Sequence, residues 1–379
     1  MSDIYQDSVA LHKKHGGKLE IKSKVSLANR ADLSLAYTPG VAEVCRVIAK
    51  DKSQTRSLTI KGNTVAVITD GSAILGLGNL GPEAALPVME GKCILFKEFA
   101  GVDAFPICLD TQDEEEIIKA VKQLAPVFGG INLEDISAPR CFKIEERLRA
   151  ELDIPVMHDD QHGTATVVLA ALINALKVRG SQKEEVKIII SGAGAAGVAV
   201  TKLLLSYGFV SVIVCDSVGI IYEGREGLNP VKQELAIITN KQKLSGDLAV
   251  ALQGADIFIG VSAPNIVSPE MIKTMNDRPM IFALSNPVPE IMPDLAKEAG
   301  AFIVASGRSD FPNQINNVLI FPGVFRGALD REVKQITDGM LIRAAENLAA
   351  LVLEPTVDMI LPNPLNRDVA PAVAKAIYE

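Results

Sequence analysis

Positive charge is in short supply in this chain of 379 residues. Its 38 Lys and Arg face 46 Asp and Glu, and the net charge of -8 argues against nucleic acid or an anionic membrane as partner. Tryptophan is absent, and aromatic residues make up only 4%. The five cysteines (Cys45, Cys93, Cys108, Cys141, Cys215) are odd in number and lack CxxC spacing, so neither a disulfide framework nor a zinc site is expected. The opening MSDIYQDSVALHKKHGG has no apolar core of the signal-peptide kind. Lys187, Lys202, Asn174 and Arg179 interrupt the most apolar stretches before any reaches the roughly 18 to 20 residues that span a bilayer. No repeat or low-complexity segment is visible. A chain with these absences is expected in the cytoplasm, without membrane or nucleic-acid partners.

What is present is a globular composition, 48% hydrophobic and 22% charged, with 29 Gly. The length suggests two domains. Strand-like runs at 64–69, 104–109, 187–191, 210–216, 255–261, 280–285 and 301–306 alternate with helical patterns such as DEEEIIKAVKQL (113–124). Such alternation predicts an α/β fold: a Rossmann-type, doubly wound parallel sheet and a smaller N-terminal α/β domain. We place the boundary between residues 158 and 159, with a long buried helix over 164–178 leading into the second domain. After residue 312 the rhythm weakens, and a last helical segment at 366–379 could pack on either domain.

Two carboxylate pairs stand 25 residues apart, Glu134-Asp135 in INLEDI and Asp159-Asp160 in PVMHDDQHG. Each closes a short apolar stretch and precedes a helical pattern. Clustered carboxylates repel unless protons or a cation neutralise them, so two pairs at strand ends suggest a hard divalent metal. The plainer reading makes them caps, Glu134 and Asp135 for a helix near 139–150 and Asp159 or Asp160 for one starting near 163. His158 and His162 flank the second pair, but a strand-helix junction breaks the helical spacing, and structural roles suit them better than zinc.

Residues Gly192, Ala193, Gly194, Ala195, Ala196 and Gly197 directly follow the strand KIIIS and precede a helical run. Glycines there permit a tight turn and let a pyrophosphate sit on the helix amino terminus. Asp216 closes the next strand, 22 residues after Gly194, where a carboxylate meets the adenosine ribose. That carboxylate favours NAD over NADP, since it repels a 2′-phosphate. Ser217, Val218 and Gly219 bring no cation, although Arg225 is close enough in sequence to swing in, so NADP stays possible. A second GxGxxG, Gly76 to Gly81, follows no strand directly and precedes Pro82, and reads as a structural or substrate loop.

Six ordered motifs then converge. Ala36-Tyr37-Thr38-Pro39-Gly40-Val41, the run TDGSAILGLGNLGPEAALPVMEGK ending at Lys92, LEDI, HDDQHGTA, LSNPVPE (284–290) and NQINNVLIFPGVFRGAL (313–329) resemble the motifs of the malic enzymes, most of all the short bacterial type. The resemblance implies Glu134, Asp135 and Asp160 as ligands of Mg²⁺ or Mn²⁺, Lys92 as general base and Tyr37 as general acid. It implies Asp159 as the acid that orients the lysine, and Asn286 and Asn316, with Asn317 beside it, as amides that hold substrate. Three oxygen ligands would leave room for two from the substrate and a water. A homodimer or larger homo-oligomer is implied on the same ground.

The activity so implied is oxidative decarboxylation of (S)-malate to pyruvate and CO₂ with reduction of NAD or NADP. Neutral Lys92 takes the hydroxyl proton as hydride leaves C2, CO₂ departs from the oxaloacetate formed, and Tyr37 protonates C3 of enolpyruvate. Two other readings stay open: a redox-silent, metal-dependent oxaloacetate decarboxylase on the same scaffold, and a catalytically dead nucleotide sensor. One departure stands out. Larger malic enzymes carry an arginine for a substrate carboxylate where this chain has Ala73, so another donor, Ser72 or the amides of 76–81, is expected to hold that group.

Overall fold

The computed structural model describes residues 4–378. Its first sheet is formed by β1 (Thr64–Thr69), β2 (Asp103–Cys108), β3 (Gly130–Leu133) and β4 (Val156–His158), all parallel, in the order β2-β1-β3-β4. The second comprises β5 (Lys187–Ser191), β6 (Ser211–Asp216), β7 (Gly219–Ile220), β8 (Ile257–Gly260), β9 (Met280–Ala283) and β10 (Ile303–Ser306), in the order β10-β9-β8-β5-β6-β7. Only the short β7 runs antiparallel, as the return arm of a turn after β6. Central strands covered on both faces need apolar side chains on both, and TVAVIT and KIIIS supply them: every residue of β1 and all but the first of β5 is buried. The strands β3 and β4 are four and three residues long, and periodicity has no room to reveal them.

Each sheet reverses its winding once, between β1 and β3 in the first and between β5 and β8 in the second. At such a point the connections leave to opposite sides and open a crevice beyond the carboxyl ends of the strands. Both carboxylate pairs and the glycine turn lie at those ends.

Helices cover the sheets. The amino-terminal arm carries α1 (Ile4–His15), α2 (Arg30–Ala36), α3 (Val41–Lys50) and the single turn α4 (Thr55–Leu58). The first sheet is flanked by α5 (Pro82–Ala100), α6 (Glu114–Leu124), which Asp113 caps as its acidic first turn predicts, and α7 (Arg140–Glu151). The long α8 (Asp159–Arg179) joins the sheets and is apolar nearly all round, since it lies between α9 (Ala195–Tyr207) and α15 (Asp338–Ala350). Four short helices, α10 (Pro230–Ile238), α11 (Leu248–Leu252), α12 (Pro269–Lys273) and α13 (Pro293–Glu298), connect the second sheet. After it, α14 (Phe321–Asp330) and α16 (Val369–Ala374) fold back onto α5, so the carboxyl-terminal helices serve the first half of the molecule as well. Phe96 of α5 meets Phe321 and Phe325 of α14 edge to face, with ring centroids 4.8 and 5.5 Å apart.

The arm differs from everything else. Among its described residues, α1, α2 and α3 bury no side chain, and Ile4, Val9, Leu11, Leu33, Leu35 and Val47 are exposed. It touches the body through polar contacts: Lys18 reaches the Pro87 carbonyl and Glu90, and Arg56 donates to the Leu329 carbonyl.

Candidate active site

The two carboxylate pairs, far apart in sequence, meet at the crevice of the first sheet. Glu134 and Asp135 leave β3, and Asp159 and Asp160 form the first turn of α8, where the helix dipole favours negative charge. Oxygens of Glu134, Asp135 and Asp160 lie within 4.8 Å of one another. The capping alternative does not hold for the first pair, because Pro139 is the N-cap of α7 and no side chain caps that turn. Asp135 adopts φ 53°, a left-handed conformation that Asp tolerates better than most residues. That turn lets its own N–H donate to Asp160 Oδ2 at 2.8 Å, tying one pair to the other.

Lys92 extends from α5 into this cluster. Its Nζ stands 3.0 Å from Glu134 Oε1, contacts Asp159, and lies 4.5 Å from the centre of the Phe321 ring. Asn317 donates to Asp159 Oδ2 at 2.6 Å, and Asn132 donates to Glu134 Oε2 at 3.0 Å. The acids remain over-supplied with negative charge. Asp135 Oδ2 and Asp159 Oδ1 are buried without a hydrogen-bond partner. Burial, with Asp160 beside it, pushes the Asp135 carboxyl up to about 8. Burial likewise raises Glu134 well above the ordinary range, and raises Asp159 despite Lys92. Burial alone would lower Lys92, but Asp159, Glu134 and Asp160 outweigh it and hold the ammonium above its ordinary value. One ammonium cannot neutralise four converging carboxylates. Orphaned oxygens and an all-carboxylate donor set fit a hard divalent cation.

Around the cluster the sequence expectations divide. Asn317 enters it through Asp159, whereas Asn316 spends its oxygen on the Val318 N–H and lines a separate cavity with Leu95, Phe99 and Asn363. Asn286 is exposed on the loop after β9, its amide 3.4 Å from the Leu284 carbonyl. A methyl on Gly76 would sit 2.4 Å from the Asn286 carbonyl oxygen, so the second glycine motif packs tightly against the loop after β9. Ser72 is not a free donor: its hydroxyl donates to Asp70 Oδ1 at 2.6 Å and accepts from the Ser137 N–H at 2.9 Å. The cation at that edge is Arg140, 2.9 Å from Asp70 Oδ2, a residue that no motif marked. Tyr37 is 66% exposed on the arm, and no hydrogen bond joins its hydroxyl to the cluster.

The second crevice holds the glycine turn. A cavity of about 690 Å³ is lined by Gly192, Ala193, Gly194, Asp216, Lys232 and Ser262, among others. Gly192 has φ 116°, and a Cβ there would lie 2.5 Å from the Val261 carbonyl oxygen. A Cβ on Gly197 would lie 1.8 Å from the Gly192 carbonyl oxygen, so that glycine serves close packing of α9 against the turn. Gly194 differs, because its Cβ would meet nothing within 4 Å and would point into space a ligand can use. Ala195 and Ala196 open α9 behind it.

Asp216 is not the isolated charge expected from its neighbours. Arg225 grips both of its oxygens at 2.9 and 2.5 Å, and Lys232 reaches Oδ2 at 2.6 Å. Burial would raise Asp216, but Arg225, Lys232 and the Val218 N–H outweigh it and hold the carboxyl far below its ordinary range. With two cations beside it, its repulsion of a 2′-phosphate is largely cancelled.

The chain is also similar to known proteins. The pattern of the malic enzyme N-terminal domain matches residues 16–149, and that of the malic enzyme NAD-binding domain matches 161–379. The chain is 56% identical to the bifunctional malic/malolactic enzyme of Bacillus subtilis over 99% of its own length and 92% of that protein's. It is also 56% identical to an NAD-dependent malic enzyme of Geobacillus stearothermophilus, covering 96% of this chain and 76% of that one. The crystal structure of an NAD-dependent malic enzyme from Thermotoga maritima superposes with a TM-score of 0.95 at 53% identity, covering 98% of each chain. With two family models covering most of its length and relatives more than half identical along it, this chain belongs to the malic enzyme family.

Proposed function

We propose that the protein oxidises and decarboxylates (S)-malate to pyruvate and CO₂, with NAD as hydride acceptor and Mg²⁺ or Mn²⁺ held by Glu134, Asp135 and Asp160. The observation that carries this reading is Lys92, lodged between Glu134 and Asp159 at the acid cluster. A divalent cation on the three acids would supply Lewis acidity to the substrate's 2-hydroxyl and carbonyl oxygens. Neutralising Glu134 and Asp160 would remove part of the charge that holds the Lys92 proton and so ease its use as a base, although Asp159 remains beside it. Asp159, fixed by Asn317, keeps the Lys92 amine aimed at the hydroxyl. Lys92 accepts the hydroxyl proton as hydride leaves C2, and the oxaloacetate so formed loses CO₂ to give enolpyruvate. Tyr37 then donates its proton to C3.

Asn286 and the backbone amides of Gly78 and Asn79 are assigned to the substrate's carboxylates, in place of the arginine that Ala73 cannot supply, while Asn316, turned to a separate cavity, is not. Residues 1–158 supply Lys92, Glu134 and Asp135 to the substrate and metal site, while 159–379 hold the nucleotide and lend Asp159 and Asp160 to that site. Free thiols throughout suit a reducing compartment, the cytoplasm, and no helix among the described residues is long and apolar enough to cross a membrane.

The arm supports a homodimer. Apolar residues on three helices that bury nothing need a surface to cover them, and a second copy offers one. Tyr37 travels with the arm, so its role depends on that assembly. Val47→Asp should shift the protein toward monomer in sedimentation velocity and lower its activity; an unchanged mass and activity would count against the dimer.

The decisive assay follows absorbance at 340 nm with malate, Mn²⁺ and either NAD or NADP, beside oxaloacetate loss without nucleotide. Malate-driven reduction is expected. Oxaloacetate loss alone would convert the reading to a redox-silent lyase, and silence in both would end it.

A further inference from the structure

Glu145 lies on α7, takes part in none of the steps above, and is only 3% exposed. A carboxylate so placed is costly to bury unless donors saturate it, and removing its partners leaves most of that cost unpaid. Its donors are all drawn from one short stretch. The backbone N–H of His158 donates to Oε1 at 2.9 Å, and Gln161 Nε2 donates to Oε2 at 3.0 Å. His162 Nε2 lies between the two oxygens, 2.9 Å from Oε1 and 3.0 Å from Oε2.

Those three residues bracket Asp159 and Asp160. The carboxylate therefore grips the main chain immediately before the acid pair and the two side chains immediately after it. It does so from the helix that follows Glu134 and Asp135, the other half of the cluster. The spacing between the two pairs is thus set across one buried group. A small divalent cation demands near-ideal ligand geometry, so a shift of the first turn of α8 would be felt at Asp160 as a lost or lengthened bond. The same shift would move Asp159 away from Lys92.

We infer that Glu145 is the positioning residue of this centre: it sets the β4–α8 turn so that Asp160 meets the cation and Asp159 meets Lys92. The inference rests on the metal-dependent reading above and deepens it. Neither ligation nor proton transfer is assigned to Glu145 itself. Outer groups that orient ligands commonly govern metal affinity although they never touch the ion.

The test uses the full chain stripped of metal and titrated with Mn²⁺ by calorimetry, with NAD titrated separately and the thermal midpoint recorded. Glu145→Gln keeps the shape but turns an N–H₂ toward the donors of Gln161 or His162. It should weaken Mn²⁺ binding about 10- to 100-fold, raise the KM for malate, and leave NAD affinity near that of the unaltered protein. Gln161→Met removes one donor from the opposite side and should weaken Mn²⁺ binding less, in the same direction. It carries the test if Glu145→Gln does not fold. Unchanged Mn²⁺ affinity in the folded variants would overturn the inference, and so would a parallel loss of NAD affinity, which marks a general loosening. Failure of the unaltered protein to bind Mn²⁺ would instead remove the metal reading on which the inference stands.

Discussion

The two sheets of this protein wind the same way and end in opposite chemistry. Read by order of appearance, β1 to β4 lie as 2-1-3-4, and β5, β6, β8 and β9 repeat that order. Each therefore opens a crevice at the carboxyl end of its central strands. In the first, the crevice is filled by side chains: four carboxylates and a lysine, nearly all buried. In the second it is emptied of them, for Gly192, Gly194 and Gly197 leave the backbone bare. One topology thus makes two kinds of crevice: converging oxygens are what a compact cation needs, and bare backbone at a helix end is what an extended pyrophosphate needs.

Three experiments break or sharpen that contrast. Lys92→Met should have the largest effect, lowering the rate of malate oxidation about 10²- to 10⁴-fold in the 340 nm assay while NAD still binds. An equal loss of NAD affinity would mean the crevices are not separable. Gly194→Ala acts on the other side. The added methyl meets no protein atom, so the thermal midpoint should hold while NAD binding weakens by about 2 kcal/mol, roughly 30-fold. Mn²⁺ affinity should stay the same, and a drop in the midpoint would show that the glycine serves the fold instead.

The smallest effect concerns protons at the acid crevice. Asp135 holds its proton up to about 8, so Mn²⁺ must displace it at neutral pH. Affinity measured by calorimetry should fall as pH drops below 8, by about tenfold per unit for each proton displaced from Asp135 and Glu134. The stability of the metal-free protein runs the other way. Folding raises this pKa from 3.8, so the contribution present at low pH is lost as pH climbs toward about 8, and Mn²⁺ should restore the melting temperature there. A flat affinity from pH 6 to 9 would argue that Asp135 is already ionised.

The two crevices were also unequally legible. The glycine turn could be read almost whole, because strand, turn, helix and strand are contiguous and the backbone requirement is written in residue type. Its surroundings could be read only in part: Arg225 stood close enough in sequence to swing in, but Lys232, which also reaches Asp216, had nothing to mark it. The acid pairs stood out as pairs, and the resemblance to the family attached Lys92 and Asp159 to them. Asn317, rather than Asn316, as the partner of Asp159 depended on which way a short turn faces. Glu145 was invisible among the charges of a helix with the pattern of a solvated face.

By itself the sequence determined the α/β alternation, the glycine turn and the identity of the clustered acids, since local spacing and residue chemistry suffice for these. Tertiary structure alone decided which groups face one another. It buried Glu145 against the turn that bears Asp159 and Asp160, committed Ser72 to Asp70, and left the arm with Tyr37 uncovered. Such pairings depend on how elements distant along the chain stack in space, and burial then fixes how strongly each charge is felt.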